Sequence, residues 1–223
     1  IAMLLSMRSG LFNYTNDEAM AEAMIADLER VWQPEELLEV SFRNAPLFAP
    51  GTEYSYSNTN TVLLALIAEQ VTGESYQSLI ADRLTEPLGL KHTLVPKVQD
   101  AGLEEPFSRG YTFFDEGDGT PLTLADAQDV TFMNPSWASA AGAGVSTATE
   151  LADWAEALTT GEFLSAELQA ERMASITPMP SAPDAVNWGY GLGIAKLHGL
   201  YGHNGQIPGY NSYMGSDPER GLT

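Results

Sequence analysis

The sequence has 223 residues, 44% of them hydrophobic and 18% charged, with 20 glycines and 13 prolines spread along it. That composition excludes an intrinsically disordered chain and is long enough to bury a core. Ten Lys+Arg against thirty Asp+Glu leave a formal charge of -20, which repels phosphate backbones and anionic headgroups and argues against nucleic acid as a partner; the absence of cysteine removes disulfides, thiolate nucleophiles and cysteine-held metals.

The acidic residues are scattered, which reads as solubility or salt tolerance and carries no catalytic meaning. In chain order, residues 1–10 read as the last turns of a helix stopped by Gly10, with no starter ahead of it. Asn16 can cap a helix over 17–30, whose Met20, Met24, Ile25 and Leu28 share one side. Pro34 suits a first helical position, and 35–42 continues until Asn44-Ala45-Pro46 breaks it. A third helix follows Asn58, because Val62, Leu63, Leu66, Ile67 and Val71 keep helical spacing up to Gly73, and its crowded apolar faces predict a buried position. A short helix over 75–84 ends at Glu86-Pro87-Leu88-Gly89.

Periodicity is weak over 96–137, where Gly117-Asp118-Gly119-Thr120-Pro121 marks a turn among short strands and loops. Thr147-Ala148-Thr149-Glu150 is a capping box opening a helix that stops near Gly161, and Ser165 can cap the next. Pro178, Pro180 and Pro183 form a linker, after which 188–214 looks like strand, turn, strand. Gly189-Tyr190-Gly191-Leu192-Gly193 reads as close packing. Both ends look cut: the 210–214 strand has only Leu222-Thr223 left of a returning arm, so the chain is expected to be an internal piece of a longer protein.

Two segments carry the chemistry. Pro50-Gly51 delivers Tyr54-Ser55-Tyr56-Ser57-Asn58 to a helix N-terminus, where the macrodipole favours nearby negative charge. A phenolate is one reading; ordinary half-buried tyrosines with Asn58 as a helix cap is the other. Tyr201-Gly202-His203-Asn204-Gly205-Gln206 sets glycines on both sides of a His-Asn pair, so a ligand can approach strand backbone with free N–H groups, or the segment is a glycine-rich hairpin corner. His92, His198 and His203 lack metal-ligand spacing, and the odd separation of His198 and His203 puts them on opposite faces of a continuous strand. No metal and no cofactor are expected.

Taken with Arg8-Ser9-Gly10-Leu11 and with 142–146 ahead of a capped helix, Tyr56-Ser57-Asn58 and Gly202-His203-Asn204-Gly205 resemble, in order and spacing, the serine beta-lactamase-like and penicillin-binding protein family. Asn13-Tyr14-Thr15-Asn16-Asp17 and the 54–60 run bring it near the Streptomyces-type D-alanyl-D-alanine carboxypeptidases. The resemblance implies an α+β fold of the three-layer, beta-lactamase/transpeptidase-like type, covering 1–223 as one incomplete domain: a mostly helical lobe to about 185 and part of an antiparallel sheet from about 186.

It also implies a serine hydrolase with an acyl-enzyme intermediate acting on a peptide, ester or beta-lactam carbonyl, with a small molecule or D-amino-acid peptide as substrate, in the periplasm or secreted. Tyr56 and His203 match catalytic positions. Asn58, Trp137, Asn204, Gly205 and Gln206 match substrate-binding ones, with Trp137 lining the cleft or else sitting in the core, and with Gln206 N–H as an oxyanion donor. The family's Ser-x-x-Lys is absent from these residues, so the fragment alone is expected to be inactive and marginally stable, the nucleophile lying upstream.

Two departures qualify the resemblance. Asn204 replaces a usual threonine, and Ala195-Lys196 stands where the carboxypeptidases place an arginine, leaving an esterase, a beta-lactamase-like hydrolase or a D-amino-acid peptidase open. The alternative from another class is an inactive homologue that binds a peptide or protein partner. Lowering a phenol from about 10 to about 7 requires roughly 4 kcal/mol, and a helix N-terminus contributes about 0.3–1 kcal/mol. Little activation of Tyr56 is therefore expected in this chain by itself.

Overall fold

The computed structural model describes residues 1–98, 100, 103–114, 122–161, 163–180, 184 and 186–223. The described helices are α1 (Ala2–Leu5), α2 (Glu18–Ala26), α3 (Pro34–Phe42), α4 (Asn58–Thr72), α5 (Tyr76–Ile80), α6 (Glu86–Leu88), α7 (Ala148–Thr160) and α8 (Ala166–Ala174). Two strands, β1 (Tyr111–Thr112) and β2 (Gln128–Asp129), pair with each other. Five more, β3 (Thr177–Pro178), β4 (Gly189–Tyr190), β5 (Ala195–Leu197), β6 (Leu200–Ile207) and β7 (Tyr210–Ser216), form an antiparallel sheet in sequence order. This is the expected mixed α+β architecture.

Local chemistry explains most boundaries and corrects several. Helix α1 stops at Leu5, because Met7 takes a left-handed φ of 57°. Gly10 lies beyond it, with φ 77° and its carbonyl accepting Leu47 N–H at 2.8 Å; a Cβ there would collide with the Phe48 carbonyl. Asp17, and not Asn16, caps α2, accepting Met20 N–H at 3.0 Å, and the helix ends at Ala26 instead of running to residue 30. Pro34 occupies the first turn of α3 as expected, behind a Gln33–Glu36 capping box. The helix over 75–84 is stopped within 86–89 as expected, at left-handed Gly89, but it stays helical up to Leu88. It passes through π-helical turns at Ala81–Thr85 into α6, which carries Pro87.

Thr147 does cap α7, accepting Glu150 N–H at 3.2 Å, and left-handed Gly161 ends it. The predicted box is only half made, because Glu150 turns away to accept Lys91 N–H and His92 N–H and the Thr93 hydroxyl. Ser165 caps α8. The expected linker begins with a strand, Pro178 lying in sheet-edge β3 where a missing N–H is tolerated. Residues 188–214 hold four strands, two of them only two or three residues long, in place of one strand-turn-strand unit. The turn expected at 117–121, and Pro183, lie outside the described residues.

The main core joins Tyr14, Trp32, Leu37, Val40 and Val62 from the segments around α2, α3 and α4 with Trp137 of the Pro135–Trp137 turn, and Ile207 of β6 packs against it. Full burial of a side chain such as Leu37, which is 0% exposed, contributes about 1.5–3 kcal/mol. A second cluster of Met7, Tyr190, Ala195 and Leu197, with Tyr54 against it, binds the first segment to the sheet. These two clusters fix the start of α4 and strand β6 next to each other. Among the described residues no helix is long and apolar enough to cross a membrane.

Candidate active site

The site begins at the N-terminus of α4, which is held from outside. Ser57 is the N-cap residue, and its hydroxyl makes no capping bond. Instead the Asn13 side chain accepts Asn58 N–H at 3.0 Å, and Thr59 Oγ1 accepts Tyr14 N–H at 3.3 Å while donating to Phe12 O at 2.7 Å. Asn58 is thus the first helical residue and not the cap, and its amide donates to Thr15 Oγ1 at 3.2 Å. Buried Asn60 joins the same seam, accepting from Ser9 Oγ at 2.6 Å. The residues just before α4 are thereby aimed at the sheet.

There, Tyr56 meets His203. Their ring centroids lie 6.0 Å apart at 50°, and Tyr56 is 38% exposed. A third ring completes the group. Tyr190 of β4 stands edge-on to Tyr56 at 5.9 Å and to His203 at 5.6 Å, and its hydroxyl is 3.2 Å from His203 Nε2. Tyr54 packs on the other side of Tyr190 at 6.0 Å. The Tyr56–His203 proximity is what the family resemblance implies, whereas the sequence around Tyr190 reads only as close packing. The packing is real, since a Cβ on Gly189 or Gly191 would meet Ile176 or Ser175, and it holds Tyr190 at the site.

Burial raises the Tyr56 phenol above its ordinary value. It raises Tyr190 much further, with Tyr54 and Tyr56 adding to it, and pushes Tyr54 up to about 12. The helix N-terminus does not overcome desolvation, so in this chain the three tyrosines are phenols at neutral pH. Arg8 acts against the rise at Tyr54 but does not cancel it.

Strand β6 supplies the rest. It pairs with β7 from Tyr201 to Ile207, but with β5 only through Gly202, leaving one side of 203–207 open. The Pro208–Gly209 turn closes on Ile207 and Tyr210. Alternation along the ladder then turns Ile207, Gly205 and His203 toward β7, and Gln206 and Asn204 toward the open edge. In agreement, the Asn204 carbonyl is 2.6 Å from His203 Nδ1 rather than in the ladder. Gln206 N–H points along that same edge, an arrangement able to receive a developing oxyanion. Gly205 leaves room where a Cβ would come within 2.5 Å of Ser212 Oγ.

Of the two readings of Trp137, the structure shows the core one: it is 9% exposed, and its carbonyl accepts the Tyr14 hydroxyl at 2.9 Å. One sequence reading comes out differently. His198 and His203 do not share a strand. His198 sits in the β5–β6 turn with φ 53° and its ring 4.4 Å from Trp188. Lys196 Nζ lies 5.3 Å over the Tyr201 ring. Hollows of about 400 and 450 Å³ lie elsewhere, beside Leu64, Ala68 and Ile80 and beside Met20, Trp32 and Arg43. Among the described residues no group of three or more His, Asp or Glu is placed to hold a metal.

Comparison with known proteins identifies relatives of this fold. A D-stereospecific amidohydrolase from Streptomyces sp. superposes with a TM-score of 0.83 at 33% identity, over 94% of this chain and 62% of that one. The D-amino acid amidase from Ochrobactrum anthropi SV3, complexed with D-phenylalanine, superposes with a TM-score of 0.78 at 30% identity, over 98% and 61%. An unguisins hydrolase of Aspergillus violaceofuscus is 26% identical over 96% of the chain and 40% of its own length. The chain therefore spans less than two thirds of these relatives. The Beta-lactamase family, whose members include serine hydrolases, matches residues 1–223, and the chain belongs to it.

Proposed function

We propose that the whole protein is a serine hydrolase that cleaves amide bonds of D-configured amino acids or short D-peptides through an acyl-enzyme. The observation that carries this reading is the Tyr56–His203 pair facing across 6.0 Å between the start of α4 and the open edge of β6. The D-amino acid preference is taken from what the similar amidohydrolase, amidase and a D-aminopeptidase are named for.

The chain's own residues act together with a serine and a lysine that lie outside it. A serine hydroxyl from a Ser-x-x-Lys outside these 223 residues attacks the amide carbon, and its proton passes to the Tyr56 oxygen once the lysine ammonium has lowered that phenol. The carbonyl oxygen gathers charge opposite Gln206 N–H. Tyr56 then hands the proton to the leaving nitrogen, the amine departs, and water releases the acid by the reverse relay. Asn58 orients the acyl side, and His203 with Gly205 lines the path of the leaving group. The carboxypeptidase form of the activity would need a grip on a terminal carboxylate, for which Lys196 offers a point charge and no bidentate fork.

The test uses the full-length protein with D-phenylalanine amide, L-phenylalanine amide, a D-Ala-D-Ala peptide and a chromogenic beta-lactam. Faster turnover of the D-amide than of the L-amide is the expected result. No turnover of any of the four, with no covalent adduct by mass spectrometry, overturns it and favours the second reading, an inactive homologue that binds a peptide.

A further inference from the structure

We infer that Tyr190 is a positioning residue that fixes the tautomer of His203 and closes its Nε2 to Tyr56 in the resting site. The inference rests on the proposed role of the Tyr56–His203 pair, but its test does not need turnover.

The argument starts from the two nitrogens. His203 Nδ1 is 2.6 Å from the Asn204 carbonyl oxygen, an acceptor only, so Nδ1 carries the proton. In the neutral ring Nε2 is then an acceptor, and the partner 3.2 Å away is the Tyr190 hydroxyl, which donates. The donor is well anchored. Tyr190 is 6% exposed, belongs to β4 in register with Ala195 of β5, and packs in the cluster with Met7 and Leu197. Burial keeps it a phenol, hence a donor.

The same ring also supports Tyr56 edge-on at 5.9 Å and Tyr54 at 6.0 Å. One buried side chain thus sets the orientation of both functional rings. With Nδ1 and Nε2 each engaged, His203 has no nitrogen left for Tyr56 unless the Tyr190 bond breaks. His203 consequently acts as a fixed dipole beside the groove and does not relay the Tyr56 proton in the resting state.

The experiment is ¹H–¹⁵N long-range correlation of the histidine side chains in the full-length protein, wild type and Tyr190→Phe, with His203→Gln for assignment. The wild type is expected to show His203 as the Nδ1–H tautomer with a hydrogen-bonded Nε2. Tyr190→Phe keeps the ring and removes the donor. With Nδ1–H still held by the Asn204 carbonyl, it is expected to move the Nε2 resonance downfield toward a free ring nitrogen. Where turnover is measurable, kcat should fall about tenfold with little change in KM. An Nε2–H tautomer in the wild type overturns the inference without any variant, and so does an unchanged His203 spectrum in a folded Tyr190→Phe. An inactive protein with the expected spectra leaves the inference standing and removes only the proposed hydrolase.

Discussion

Asn13 caps a helix to which it does not belong: its side-chain oxygen takes the backbone N–H of Asn58, 45 residues later, at 3.0 Å. The residue in the N-cap position, Ser57, is 1% exposed and makes no such bond. The direction in which Tyr56 enters the groove therefore depends on a segment remote in sequence. Asn13→Ala is expected to cost about 1 kcal/mol, as loss of a local cap does, and to lower activity of the whole protein. Asn13→Asp, which keeps an acceptor and adds negative charge at a helix N-terminus, should be close to wild type. Urea midpoints of the two variants check this; equal loss in both would show that the bond is not the cause.

Tyr56 in the 223-residue chain is expected to ionise above the ordinary tyrosine value of about 10, because burial raises it. The ultraviolet difference titration of wild type against Tyr56→Phe reads this directly, and ionisation near neutrality would contradict it. In the whole protein Tyr56→Phe should reduce acylation by orders of magnitude.

The same cause sets the alkaline limit of stability. Tyr14, Tyr54, Tyr56, Tyr76, Tyr190 and Tyr213 are all raised by burial. A raised group contributes stability that is complete below its unfolded value and lost as pH climbs toward the folded one. Melting temperature should thus be flat up to about pH 10 and fall beyond it. Replacing Tyr14 by Phe, at the cost of its bond to Trp137 O, should flatten part of that fall.

At the acid end the sign reverses. Burial alone would raise the Asp17 carboxyl, but Met20 N–H, Arg43 and Asn44 together hold it below the usual range. Stability from Asp17 is present above the unfolded carboxylate value, about 3.9, and is lost as pH drops through the folded one. Asp17→Ala should cost about 1 kcal/mol at neutral pH, and its melting temperature should decline less than that of wild type on acidification. A parallel decline would assign the acid sensitivity elsewhere.

Two glycines of β6 should respond differently to alanine. At Gly202 a Cβ would collide with the Met214 carbonyl of the neighbouring strand, which cannot move without opening the ladder. Overpacking of this kind costs about 1–3 kcal/mol. At Gly205 the obstacle is the Ser212 hydroxyl, a side chain that can rotate. Thermal melts should show a large loss for Gly202→Ala and a small one for Gly205→Ala.

The parts of this site legible in the sequence are those in which local signals coincide with function. Pro50-Gly51 followed by a helical apolar pattern places Tyr56 and Asn58 at a helix start, and the glycines around His203 mark an accessible strand. Tyr190 was hidden because β4 is two residues long, too short for alternation to register, and its bond to His203 depends on packing across strands that no local pattern encodes. Asp17 displaced Asn16 as a cap because Arg43 and Asn44 of a later segment also use its carboxylate. Trp137 answered to the volume between helices, a property of the assembled core.

The β1–β2 ribbon is fastened at its base, Val130 N–H donating to Gly110 O at 2.9 Å. It is also fastened to the tip of the β6–β7 hairpin, where Tyr210 reaches Ser108 O at 3.0 Å. Chain added or removed between Thr112 and Gln128 therefore starts and finishes at the same two anchored points and leaves the rings around His203 where they are. A designer seeking new selectivity could graft between those two anchored points without recasting the scaffold.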